Sequence, residues 1–296
     1  MKLLVTGANG FLAQHVCLYL LNKGHQVLGI SRGPARLPFV DRMEYVSLDL
    51  SDAEAVKNLA PAMGKPDAIL HLAAMSKPDE CLRDPAASRL HNIEATAHLL
   101  EKAAAWEAYF LYSSTDFIFG EGGPHSESDT PDPLNFYGAC KWEAENLVRN
   151  SGVRQGIFRP VFIYGPVWPG LRGSFIQWVA DSLRAGKTIQ VVNDQWRTPT
   201  FVGDLCWGIH QLLTHQIQDC FHLAGKDVLT PYQMACTTAE VLGLPTSLIL
   251  AVDSHTFPEP VRRAKKSGLQ IQKAMDALGY APHDFTAGVK ASFGQP

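Results

Sequence analysis

Tyr137 and Lys141 stand four residues apart in NFYGACKWEAE, residues 135–145, just after the proline-rich TPDPL. On a helix that spacing puts a phenol and an ammonium on one face. A free tyrosine, with a pKa near ~10, is a poor proton shuttle at neutral pH. A neighbouring ammonium stabilises the phenolate, and each unit of lowering corresponds to about 1.4 kcal/mol. Tyr137 then fits a general acid for a carbonyl oxygen. A lone Y-x-x-x-K is usually coincidence, so this reading needs a third polar group and a nucleotide site upstream. YSSTDF supplies the first: it ends an apolar run with Ser113, Ser114 and Thr115. Thr115 can donate or relay a hydrogen bond to the same oxygen.

The second lies at the N-terminus. VTGANGFLAQHV places Gly7 and Gly10 between an apolar run and a helical pattern. A tight turn there lets backbone approach a pyrophosphate, and the helix start offers unpaired N–H groups and about +0.5 charge. Ala13 takes the third small position, where the helix packs on the sheet. At the end of the second strand an acidic residue would grip a ribose 2′-OH. This chain has ISRG instead, and Ser31 with Arg32 suits a 2′-phosphate. NADP is therefore expected over NAD, although Arg32 also reads as a solvated loop charge. With an oxidised nicotinamide beside it, the Tyr137 phenolate gains further support, and Lys141 has donors to spare for the nicotinamide ribose. Asp49 ends the third strand and could accept from the adenine amino group. Small residues in LAAM, 72–75, let backbone approach the cofactor. Asn92 reads equally as a buried tie between elements and as a site residue.

These groups need a sheet to carry them. Strand signals KLLVTG, QVLGIS, MEYVSLDL, DAILHLAA and AYFLYSSTDF alternate with helical stretches: FLAQHVCLYLLNKG with Leu12, Val16 and Leu20 in register, then 53–62 and 86–106. A sixth strand is expected at QGIFRPVFIYG. Alternating β and α units imply an α/β fold, a Rossmann-like doubly wound parallel sheet whose carboxyl strand ends face the ligand crevice. Beyond Gly165 the pattern loosens. Helix signals recur in SFIQWVADSLRAG and FVGDLCWGIHQLL, CFHLAG returns a strand to the sheet, and the tail mixes helices with LILAVDS. The expected organisation is a dinucleotide-binding domain of 1–164 and 201–225, with a smaller interleaved C-terminal substrate lobe of 165–200 and 226–296.

The bulk properties are permissive. A chain of 296 residues, 46% hydrophobic and 19% charged, can build one large core or two packed lobes. A net charge of −3 gives no reason to expect a nucleic-acid or membrane partner. No apolar stretch reaches the ~18 residues of a membrane span. TGANG interrupts the first apolar run, against a signal peptide. A soluble, cytoplasmic protein is expected. The six cysteines lack any C-x-x-C pair and read as free thiols, and the eleven histidines show no metal-ligand spacing.

TGANGFLA, LHLAA, SST, YGACK and RPVFIYGP together resemble the extended short-chain dehydrogenase/reductases. Within them STDFIFGEGG, TPDPLNFYGACKWEAE and DQWRTPTFVGDL are most similar to the dTDP-4-dehydrorhamnose reductase group. The resemblance spans the chain. It implies hydride transfer from NADPH to C4 of a nucleotide-linked 4-keto-6-deoxysugar, with Thr115, Tyr137 and Lys141 as catalytic trio. The implied cofactor set is Gly7, Gly10, Phe11, Leu12, Ser31, Arg32, Asp49, Leu50, Leu72, Ala73, Ala74, Asn92, Ser113, Tyr137, Lys141 and Pro160. The implied substrate set is Met75, Thr115, Asp116, Tyr137, Phe162 and Arg197. Phe162 falls where these reductases usually carry a substrate-contacting tryptophan, which leaves the sugar and nucleotide open. Arg197 could meet a diphosphate or be an ordinary surface cation. SKPDECLRDPAAS, 76–88, is more similar to the regulatory subunit of methionine adenosyltransferase, which shares the fold and binds NADP but serves as a partner protein. The substrate expected is a small nucleotide sugar, and a homodimer is compatible with it. A redox-neutral epimerase or dehydratase and a non-catalytic NADP-binding regulator are the competing functions.

Overall fold

The computed structural model describes residues 1–168, 173–258 and 260–294. The N-terminal pattern folds as its alternation demands. Strands β1 (Lys2–Thr6), β2 (Gln26–Ser31), β3 (Glu44–Ser47), β4 (Ala68–His71), β5 (Tyr109–Ser113) and β6 (Gln155–Arg159) alternate with helices α1 (Phe11–Asn22), α2 (Ala53–Lys57), α3 (Pro78–Arg83), α4 (Pro85–Arg89), α5 (Ala95–Trp106) and α6 (Phe136–Asn150). Later come β7 (Ile163–Tyr164), α7 (Phe175–Arg184), β8 (Ile189–Val192), β9 (Thr200–Phe201), α8 (Val202–His215), β10 (Cys220–His222), α9 (Pro231–Leu242), β11 (Ile249–Val252), α10 (Gln272–Leu278) and α11 (Phe285–Ser292).

Seven strands form one sheet in the order β10-β6-β5-β4-β1-β2-β3. The pairings from β3 across to β6 are parallel. The order reverses between β1 and β4, the switch point at which doubly wound sheets bind ligands. Leu4, Leu28, Ile69, Phe110 and Ile157 of the strands pack with Leu99, Ala103, Ala144 and Val148 of α5 and α6. Ala13, Val16, Cys17 and Leu20 give α1 its buried stripe. Strands covered on both faces explain the continuous apolar runs in the sequence.

Two compact units share the chain: 1–118, 133–159 and 206–221 make the first, and 119–132, 160–205 and 222–296 the second. The expected boundaries had put 119–132 with the sheet. Its backbone pairs instead with the tail, through Gly123 N to Lys266 O at 3.0 Å, His125 N to Gly268 O at 2.9 Å and Gln270 N to His125 O at 2.7 Å. The second unit has its own core of Val179, Leu183, Val191, Ala235, Ala239 and Ile249, where β8 pairs with β11.

Several elements are shorter than their sequence signals. The fourth strand stops at His71 and the fifth at Ser113, each before residues whose backbone is recruited into polar contacts. The sixth breaks at Pro160, which has no N–H for a ladder, and Ile163–Tyr164 pairs with β9 instead. The helix expected over 86–106 is α4 and α5 joined by one π-turn, Leu90–Glu94. All six cysteines are free thiols. Among the described residues no helix is long and apolar enough to cross a membrane.

Candidate active site

The glycine turn leaves β1 with Gly7 at φ +69°, where a side chain is strained. A Cβ on Gly7 would also lie 3.0 Å from the Ala73 backbone. Only glycine lets the turn and the 72–75 segment come this close. Gly10 opens α1 with no side-chain cap, and no carboxylate stands in the first turn. The helix dipole is thus left for an anion. On this cradle the residues present fit a dinucleotide pyrophosphate. Phe11 and Leu12 follow directly, both partly buried.

A chain of buried polar groups ties this turn to the next strand end. Thr6 Oγ1 accepts from the backbone N–H groups of Leu72 and Ala73, both at 3.0 Å. His71 bridges Thr6 Oγ1 at 2.8 Å and Thr96 Oγ1 at 3.0 Å through its two ring nitrogens. Burial, with Lys141 nearby, pulls His71 down to about 3, so the imidazole is neutral. Thr96 donates to Asn92 O, and Asn92 holds Met75 at both ends: Met75 N donates to its Oδ1 at 2.9 Å and its Nδ2 donates to Met75 O at 3.2 Å. Asn92 is therefore a backbone tie that fixes the 72–75 loop. Ala74 is exposed and Met75 half-buried. The sequence reading missed Thr6, His71 and Thr96. The signal was a lone histidine ending the apolar run AILH.

At the ends of β2 and β3 the loop 33–36 is pinned by Asn9, also missed. Its Nδ2 donates to Pro34 O at 3.0 Å and its Oδ1 accepts from Arg36 N at 2.8 Å. Arg32 is exposed and Ser31 half-buried. Arg32 Nη1 donates to His91 Nε2 at 3.3 Å. Burial raises Asp49, but the Ser51 N–H and hydroxyl on its Oδ1, with His91 and Arg32 nearby, leave it net lowered. Leu50 is buried, and its carbonyl oxygen meets His98 Nδ1 at 3.0 Å.

The trio converges where β5 ends against the start of α6. Asn135 caps α6 by accepting from Gly138 N at 2.9 Å. A Cβ on Gly138 would lie 2.1 Å from Phe117 O, so this glycine is what lets the helix press against the turn carrying Thr115 and Asp116. Tyr137 packs edge-on to Phe117, ring centroids 5.5 Å apart. Tyr137, Lys141, Thr115 and Asp116 are all buried. Burial first, then Asp116, pushes the Tyr137 phenol up, against a lowering hydrogen bond with Thr115. Thr115 donates to Asp116 Oδ1 at 3.2 Å and accepts from Phe117 N at 3.3 Å. Lys141 donates to Ser113 O at 2.7 Å, and its Nζ lies 4.1 Å from the Tyr112 ring centroid. Burial pulls Lys141 down to about 7, against the attraction of Glu145. The lowering of the phenol expected from the spacing is thus outweighed by burial. Tyr137 is firmly protonated, the form a general acid needs.

Three expected residues belong to the second unit. Pro160 is buried. Phe162 has φ +43°, rare for a bulky side chain, and stacks edge-on with Phe175 at 5.7 Å. Thr200 N donates to its carbonyl at 3.1 Å, which braces the strained backbone. Arg197 donates to Trp196 O at 2.7 Å and Gln195 Oε1 at 2.9 Å, so much of its fork serves its own loop.

The chain is 31% identical to methionine adenosyltransferase 2 subunit beta of Mus musculus over 300 residues, 98% of this chain and 86% of that protein. It is 30% identical to the probable low-salt glycan biosynthesis reductase Agl14 of Haloferax volcanii, covering 98% of this chain and 97% of that one. Among solved structures, dTDP-4-dehydrorhamnose reductase from Yersinia enterocolitica superimposes with a TM-score of 0.84 at 27% identity, covering 99% and 98% of the two chains. The Bacillus anthracis dTDP-4-dehydrorhamnose reductase in complex with NADP has the same fold, with a TM-score of 0.85 at 21% identity and the same coverage of 99% and 98%. The fold that carries the glycine turn and the Tyr137–Lys141 helix is thus shared with these structures. Residues 1–295 match the RmlD substrate binding domain, and the chain belongs to that family.

Proposed function

We propose that this chain is an NADPH-dependent reductase of a nucleotide-linked 4-keto-6-deoxysugar. The observation that carries the reading is the placement of a buried, protonated Tyr137 beside Thr115, with Lys141 one turn along, at the carboxyl end of β5. Family membership and the reductase relatives support it, and the NADP of the Bacillus anthracis structure supports the cofactor.

In this reading Gly7, Gly10, Phe11 and Leu12 hold the pyrophosphate at the start of α1. Ser31 and Arg32 take the 2′-phosphate. Asp49 and Leu50 face the adenine. Leu72, Ala73, Ala74, Ser113 and Pro160 line the cofactor, and Asn92 keeps the loop around Met75 in place. The chemistry a bound NADPH would supply is hydride delivery to the carbonyl carbon. Tyr137 gives its proton to the carbonyl oxygen as negative charge builds there. Thr115 turns its hydroxyl from Asp116 to the same oxygen. Lys141 stabilises the resulting phenolate and binds the nicotinamide ribose. Met75, Asp116, Phe162 and Arg197 complete the substrate set. A small-molecule substrate and a cytoplasmic setting go with this proposal.

The test is NADPH oxidation against a panel of nucleotide-linked 4-ketosugars. Turnover with at least one, abolished in Tyr137→Phe, supports the reading. A second reading is favoured by one observation, the 31% identity to a methionine adenosyltransferase subunit across 98% of this chain. In it the chain binds NADP and acts through a partner protein. NADP binding without turnover on any panel member would favour it.

A further inference from the structure

We propose that His91 is a cofactor-specificity residue: together with Arg32 it grips the 2′-phosphate of NADP, and it takes up a proton from solvent in doing so. The proposal rests on the reading that the chain binds NADP.

Arg32 Nη1 and His91 Nε2 are 3.3 Å apart. Guanidinium has no acceptor, so Arg32 donates, Nε2 accepts, and the ring proton sits on Nδ1. A phosphate monoester presents up to two negative charges and three acceptor oxygens. An arriving 2′-phosphate draws the Arg32 N–H groups to itself. His91 Nε2 would then face an oxyanion with only a lone pair; a proton gained there, with Nδ1–H kept, makes it a second donor and adds a positive charge beside the phosphate. Imidazole is the side chain suited to that change near neutral pH. A ribose 2′-hydroxyl makes no such demand, so the contact discriminates NADP from NAD.

Asp49, two residues beyond the end of β3, interacts electrostatically with both Arg32 and His91. The other charged groups near His91 in sequence are Arg89 and Glu94, and Arg89 is already paired with Glu143 of α6 at 2.7 Å. On α5, His98 is engaged with Leu50 O. The position of His91 is fixed by its neighbour Asn92, buried and bonded at both ends to Met75. From the other side, Asn9 anchors the loop that follows Arg32.

The experiment is isothermal titration calorimetry of NADP and NAD at pH 7.5, each in two buffers of different ionisation heat. Wild type, His91→Leu and His91→Lys are compared. Wild type should take up protons with NADP and none with NAD; ionisation of the phosphate itself would release protons, the opposite sign. His91→Leu should lose about tenfold or more in NADP affinity, with NAD unchanged and the uptake gone. His91→Lys, charged throughout, should keep NADP affinity without uptake. If His91→Leu keeps the NADP-to-NAD ratio, or weakens both equally, His91 is not the discriminating group, and the cofactor reading survives. If wild type fails to bind NADP, the cofactor reading falls and this inference with it.

Discussion

The Lys141 ammonium lies 4.1 Å from the Tyr112 ring centroid and 2.7 Å from the Ser113 carbonyl oxygen, so two adjacent residues of β5 hold the lysine of α6. Buried as it is, the ammonium is costly: its pKa falls from 10.5 to about 7. Between those values the unfolded chain binds more protons than the folded one, so this group makes stability rise with pH from about 7 to 10.5. Lys141→Met should therefore stabilise the protein at pH 7, on the order of 2 kcal/mol, while weakening NADP binding. The gap should narrow by pH 10. Urea unfolding at both pH values checks it, and a Met variant less stable at pH 7 would show that the site solvates the charge well.

Gly138 sets how closely α6 approaches the turn that bears Thr115. Gly138→Ala forces a methyl group into Phe117 O, 2.1 Å away. The helix start must shift, at about 1–3 kcal/mol, and Tyr137 moves with it. Turnover should fall at least about tenfold, since small misplacements of reacting groups are expensive. Ala139→Ser, at the next and exposed position, is the control. Equal activity of the two variants would remove Gly138 from the account.

Glu145, fully buried, joins Arg159 at 2.6 Å and Arg149 at 2.7 Å. Burial raises its pKa, but the Arg159 contacts outweigh this and the net shift is downward. A depressed carboxylate stabilises above its unfolded pKa, and that contribution is lost as pH falls through the folded value. Glu145→Gln strands a buried guanidinium, so a loss of about 3–5 kcal/mol is expected at pH 7. The difference from wild type should shrink below pH ~4. A pH-independent difference in thermal midpoint would mean the carboxylate charge is not what Arg159 needs.

His71 is held neutral down to about 3. The unfolded imidazole charges near ~6.5. As pH drops below that value the unfolded state binds the extra proton, and stability falls by up to about 1.4 kcal/mol per pH unit. His71→Gln should remove that slope between pH 6 and 4, measured by urea midpoints. An unchanged slope would place the acid sensitivity elsewhere.

Much of this was legible in the sequence. The period of apolar runs gave the sheet and its helices, because strands buried on both faces must read as continuous apolar segments. Gly7, Gly10, Tyr137 and Lys141 were legible because their types and spacing serve backbone approach and a shared helix face. What escaped were contacts between distant segments. Thr6, His71 and Thr96 look unremarkable one by one, and only the register of β1 against β4, with α5 beside it, joins them. The membership of 119–132 in the second unit was hidden for the same reason: its partners, Lys266 and Gly268, lie far along the chain. The Tyr137 phenol went the other way from expectation because burial cannot be read from a spacing.

Net reduction by hydride transfer, with Tyr137 as acid, is the central claim. The most direct measurement is turnover of a nucleotide-linked 4-ketosugar with NADPH deuterated at the transferable position, followed by mass spectrometry of the sugar. One deuterium at C4 for each NADPH consumed is expected, with no solvent deuterium at C3 or C5 in a parallel run in heavy water, and no product from Tyr137→Phe. Product formed without loss of NADPH, solvent deuterium at C3 or C5, or an active Tyr137→Phe would contradict the account.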